Sequence, residues 1–100
     1  MISVETGDIA YFMLESRCVF LRKKEGQKYV TTYRLAELMN LLDPSQFFQV
    51  NRSYIVSFDS ITHVLPYPGH RLNLFVQPDP IGNVIVSREK VNAFKQWLGE

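Results

Sequence analysis

Apolar residues in this chain come in short runs, each cut off by polar residues or by proline and glycine, and that rhythm specifies strands and tight turns over most of its length. Ile9 to Leu14, Val19 to Lys23 and Lys28 to Thr31 read as three strands, with Glu25-Gly26 turning the last two into a hairpin. The pattern returns in Phe47 to Val50, Tyr54 to Val56, Ile61 to Leu65, Leu72 to Val76 and Val84 to Val86, with Phe58-Asp59-Ser60 as a connection. Pro66-Tyr67-Pro68-Gly69 and the segment from Pro78 to Asn83 are expected to be loops, because proline withholds a ladder donor and glycine supplies positive φ.

Two segments change period. Leu35, Leu38, Met39 and Leu42 fall at i, i+3, i+4 and i+7 before Asp43-Pro44 stops the pattern, which predicts an amphipathic helix lying on a sheet. Arg88 to Leu98 places Val91, Phe94, Trp97 and Leu98 on one helical face, behind Ser87 as the expected N-cap. Met1-Ile2-Ser3-Val4 already reads as strand, so the expectation is one domain over residues 1–100, excised from a longer protein with its first strand cut short.

With 46% hydrophobic and 13% aromatic residues, the chain has ample material for a single core and is not a disordered segment. No apolar run approaches the roughly 20 residues that cross a bilayer, and the first residues lack the pattern of a signal peptide, so no membrane partner and a cytoplasmic location are expected. Cys18 is the only cysteine; no internal disulfide is possible, and the thiol is expected to act as a small, partly buried hydrophobe.

Catalysis finds little support. His63 lies in an apolar strand and His70 in a Pro/Gly loop, without metal-ligand spacing; the serines lack a nucleophile elbow, and no glycine-rich phosphate loop is present. The expectation is no catalytic residue, no metal and no cofactor. Tyr11, Phe12, Phe20, Phe47, Phe48, Tyr54, Phe94 and Trp97 fall on alternating or helical apolar faces, which assigns them to core packing rather than to stacking on bases.

Charge and polar interruptions support binding instead. The net charge is +1, but residues 17–34 carry Arg17, Arg22, Lys23, Lys24, Lys28 and Arg34 against Glu25 alone, a local +5 that leaves −4 for the remainder. Such a face suits a polyanion, and equally a solvated hairpin whose lysines deter edge pairing. The triplet Asn51-Arg52-Ser53 interrupts two apolar runs; Arg52 offers a donor fork for a guanine edge or two phosphate oxygens, or else an ordinary salt bridge to Asp59 or Glu15. Ser87-Arg88-Glu89-Lys90 opens the tail helix, where a basic first-turn residue opposes the helix dipole unless Glu89 or a bound polyanion compensates. Arg17, between the first two strands, is a third candidate contact and could equally pair with Glu15.

These residues together resemble a LytTR DNA-binding domain, the output module of bacterial LytTR-family response regulators. The anchors are Asp8-Ile9-Ala10-Tyr11-Phe12, the Leu35 to Leu42 helix, Phe47 to Ile61 around Asn51-Arg52-Ser53-Tyr54-Ile55-Val56, and Val86-Ser87-Arg88. The resemblance implies a mainly β fold of elongated antiparallel sheets with one amphipathic helix mid-chain and a short C-terminal helix. It implies sequence-specific binding of double-stranded DNA by loops set into the major groove, in the effector domain of a two-component transcriptional regulator. Base contacts are then expected from Arg17, Arg52 and Arg88, with backbone or supporting contacts from Ser16, Lys23, Lys24, Asn51, Ser53, Ser87 and Lys90. Tandem direct repeats, an N-terminal receiver domain in the parent protein, and a monomer or weak dimer in isolation are further implications. Asn51 and Ser57 stand where many members carry His and Asn. The alternative is a protein-interaction module that uses exposed strand edges, without nucleic acid.

Overall fold

The computed structural model describes residues 4–80 and 82–99. Among the described residues eight strands and two α-helices follow one another as β1 (Ile9–Glu15), β2 (Cys18–Lys23), β3 (Lys28–Thr31), α1 (Leu35–Leu41), β4 (Phe47–Gln49), β5 (Tyr54–Ser57), β6 (Ile61–Tyr67), β7 (Arg71–Val76), β8 (Val84–Val86) and α2 (Val91–Leu98), with single 3-10 turns at Thr6–Asp8, Phe58–Ser60 and Arg88–Lys90. They form a five-stranded sheet in the order β3-β2-β1-β5-β4 and a three-stranded sheet in the order β6-β7-β8, with every pairing antiparallel. The extents of 41 × 25 × 23 Å make the domain elongated, so both the fold class and its shape follow the expectation.

The strand β1 is buried on both faces and divides the core in two. On one side Tyr11, Met13, Val50 and Val56 meet Leu74, Val76, Val84 and Val86 of the smaller sheet, together with Phe94 of α2. On the other, Ile9, Phe12, Val19, Phe47 and Ile55 receive the leucine stripe of α1, Leu35, Leu38 and Leu42. A bulge between Ile9 and Tyr11 turns these two residues, which strict alternation would put on one face, toward opposite layers. The helix α2 is seated by aromatic contacts: Phe48 lies 5.6 Å from Phe94 and 5.3 Å from Trp97, whose indole N–H donates to the Pro44 carbonyl at 2.9 Å.

Four expectations change. Pro66 and Tyr67 belong to β6 rather than to a loop, since β6 is an edge strand and a missing N–H there faces solvent. Ser87 does not cap the tail helix with its hydroxyl, which instead donates to the Val50 carbonyl at 3.4 Å. Cys18 is exposed, because it closes the β1–β2 turn beyond the core and Val19 takes the inward position. Of the strand expected at the N-terminus, residues 1–3 lie outside the described residues, and Val4 packs beside α1 without joining a sheet.

Candidate nucleic-acid interface

Three polar connections meet at one end of the five-stranded sheet. Because β1 runs antiparallel to both β2 and β5, the β1–β2 turn lies beside the start of β5, and the Leu14 N–H donates to the Ser53 carbonyl at 2.8 Å. The end of β8 is tied to the same place, with the Ser87 N–H donating to the Val50 carbonyl at 3.0 Å.

The register Glu15↔Cys18 leaves only Ser16 and Arg17 in the β1–β2 turn, and both take positive φ, 50° and 66°. A two-residue hairpin that matches strand twist demands this geometry, and it normally selects Asn-Gly. Holding side-chain-bearing residues there costs on the order of 1 to 2 kcal/mol each. What the turn gains is an exposed guanidinium at its tip, Arg17.

Asn51 organises the second connection. Its Oδ1 accepts from the N–H groups of Ser53 at 2.7 Å and Tyr54 at 3.0 Å, and its Nδ2 donates to the Ile85 carbonyl at 2.7 Å. One amide thus shapes the loop that carries Arg52 and clamps it to the other sheet. Arg52 itself is exposed and lines a hollow of about 480 Å³ with Asn51, Ser53, Ser87, Lys90 and one acidic residue, Glu89, whereas Arg88 does not line it. Arg88 is exposed in the adjoining 3-10 turn.

The salt-bridge alternatives are closed by other partners. Glu15 pairs with Lys28 at 3.2 Å and Asp59 with Lys24 at 3.5 Å, and among the described residues Arg17, Arg52 and Arg88 have no carboxylate within 4.0 Å. The structure does not bring Lys23 and Lys24 to this end. They flank the β2–β3 turn at the opposite end of β2, where Lys23 lies 4.0 Å from Glu25.

Sequence reasoning missed Gln49 and Asn83, which line the same hollow from β4 and from the loop before β8. Asn83 sits in a Pro/Gly-rich stretch that gave no sign of facing the Asn51 loop. Tyr54 also lines it, and burial, with Glu15 nearby, pushes its hydroxyl above the usual tyrosine range. Among the described residues no cluster of His, Cys, Asp and Glu could hold a metal ion, and no helix is long and apolar enough to cross a membrane.

A family model for the LytTr DNA-binding domain matches residues 1–99. The chain belongs to this family. Among curated proteins, the transcriptional regulatory protein YpdB of Escherichia coli K12 is 29% identical over 98 residues, covering 98% of this chain. The Shigella flexneri YpdB matches to the same extent. The chain spans 39% of the length of these relatives. Among solved structures, a LytTr DNA-binding domain from Bacillus cereus, described as part of a methyl-accepting/DNA response regulator, superposes with a TM-score of 0.87 over 99% of this chain and 88% of that one, at 23% identity. In this LytTr chain, then, the polar end of the long sheet carries Arg17, Arg52 and Arg88 on short connections with no carboxylate within 4.0 Å among the described residues.

Proposed function

We propose that this LytTr domain binds double-stranded DNA in a sequence-specific manner through the loops at the arginine end, as the effector part of a bacterial two-component response regulator. The observation that supports the reading is that the Ser16-Arg17 turn, the Asn51-Arg52-Ser53 loop and the end of β8 before Arg88 are hydrogen-bonded together at one end of the long sheet, with no carboxylate within 4.0 Å of Arg17, Arg52 or Arg88 among the described residues. Loops of this size enter a major groove, where guanidinium pairs with the O6 and N7 of guanine and each good pair contributes about 1 to 3 kcal/mol of discrimination.

In this reading Arg17, Arg52 and Arg88 read bases, while Ser16, Ser53, Ser87 and Lys90 hold phosphate or sugar. Asn51 acts as support, since three of its hydrogen-bonding positions are already spent inside the protein. Lys23 and Lys24, at the opposite end of β2, lie outside the contact surface in this reading. The family membership extends the proposal to tandem direct repeats occupied by domains that are monomeric or weakly dimeric alone, downstream of an N-terminal receiver domain.

Selection of bound duplexes from a random pool, followed by titration across salt concentrations, tests the reading. A recovered consensus with affinity falling steeply as salt rises supports it. Binding to a protein partner with little salt dependence, and no recovered duplex, favours the strand-edge module instead, for which the edge strands β6, with Leu65 half exposed, and β3, with Val30 exposed, are available.

A further inference from the structure

Beside the rim, a second depression of about 390 Å³ opens between the β1–β2 turn, the segment leading into α1, and the Asn51 loop. Arg17, Arg34 and Arg52 all line it, and no acidic residue does. Three like charges around one concavity repel one another unless an anion or a nearby carboxylate offsets them. Glu15 is paired with Lys28 at 3.2 Å, and Glu37, which accepts the backbone N–H of Arg34 at 2.8 Å, does not line the depression. Among the described residues Arg34 has no salt-bridge partner within 4.0 Å. Thr32 adds an exposed hydroxyl, and the walls include the half-exposed Tyr33 and Leu14.

A guanidinium cluster with a hydroxyl and apolar walls matches a phosphodiester and the sugar attached to it. We propose that this depression is a backbone-phosphate site, with Arg34 as its own ligand, so that the duplex footprint continues past the base-reading loops toward α1. The proposal rests on the DNA-binding reading and extends it to a residue outside the three loops. Arg17 and Arg52 then stand between two tasks, each guanidinium spanning a groove edge and the adjoining phosphate, whereas Arg34 contacts phosphate alone.

The test uses a duplex recovered by selection and three proteins: the unaltered domain, Arg34→Ala and Arg34→Lys, each checked for an unchanged thermal melt. Arg34→Ala is expected to weaken binding about 3- to 10-fold for cognate and scrambled duplexes alike, and to reduce the slope of log affinity against log salt by about 1. Arg34→Lys should recover most of that loss. Replacing single phosphates of the duplex by methylphosphonate should reveal one position, at one flank, where the unaltered domain loses affinity and Arg34→Ala loses none further. If the unaltered domain selects a consensus but Arg34→Ala leaves affinity and salt slope as they were, the phosphate site is overturned while the base-reading loops stand. If no duplex is selected at all, both fall together.

Discussion

The two ends of the five-stranded sheet carry basic residues on short turns and treat them in opposite ways. At the β2–β3 end, Lys23 and Lys24 fold back on Glu25 and Asp59, and Arg22 donates to the Gly26 carbonyl at 2.8 Å. At the β1–β2 end, Arg17, Arg34 and Arg52 line one depression with no acid in it, on a backbone that takes positive φ at Ser16 and Arg17. The strands separate these ends by about 3.4 Å per residue, roughly 20 Å along β1, two Debye lengths or more at physiological salt. In the proposed reading, positive charge alone does not mark the interface; at the β1–β2 end it comes without a carboxylate within 4.0 Å among the described residues and beside two positive-φ positions.

The contrast breaks most severely if the scaffold under the arginine end is removed. Phe94 is 0% exposed and joins α2 to both sheets, so Phe94→Ala should lower unfolding free energy by about 3 to 5 kcal/mol in urea denaturation. Trp97→Ala should fall in the lower part of that range, because the ring is only partly buried but loses its bond to Pro44 as well. A near-neutral Phe94→Ala would mean that α2 is not what positions Arg88.

Arg52→Ala and Arg88→Ala should each reduce discrimination between cognate and scrambled duplex by about 1 to 3 kcal/mol. Lys23→Ala with Lys24→Ala should leave that ratio unchanged and stability within about 0.5 kcal/mol, since exposed ion pairs contribute little. Equal behaviour of the two sets in a competition assay would erase the difference between the ends.

The turn itself offers a sharper probe. Ser16→Asn with Arg17→Gly installs the residues that positive φ favours, so the double variant should gain about 1 to 2 kcal/mol of stability while losing affinity for DNA. Loss of stability would show that the turn is unstrained, and retained affinity that Arg17 is idle.

The smallest effect is on pH. Burial pushes the Tyr11 hydroxyl above its usual value of 10.0, against the opposing pull of Arg22, and Tyr54 shifts the same way. A raised folded value means the neutral form is favoured in the native state, so this stability is complete below about pH 10 and is lost as pH climbs through the folded value. Tyr11→Phe should flatten the alkaline decline in melting temperature.

Much of this was legible in the residues, and the exceptions have physical causes. The strand and helix periods located the elements because each buries one face against a neighbour, and Asn51-Arg52-Ser53 stood out because it interrupts two apolar runs. Arg34 was visible only as one charge in a basic stretch, since nothing local says that the entry to α1 lies beside the Arg17 turn. The fate of Lys24 depended on Asp59, distant in sequence and brought close by β5 ending beside the start of β1. Ser87 looked like a cap by type and position, yet a long-range carbonyl, that of Val50, claimed its hydroxyl.

Titrating isotopically labelled domain with a selected duplex, and mapping the backbone amide shifts by NMR, tests the central claim most directly. Perturbations concentrated at residues 16–18, 51–53 and 87–90, with residues 23–26 silent, are what two unlike ends require. Shifts centred on residues 23–26, or spread evenly over both ends, would contradict the account.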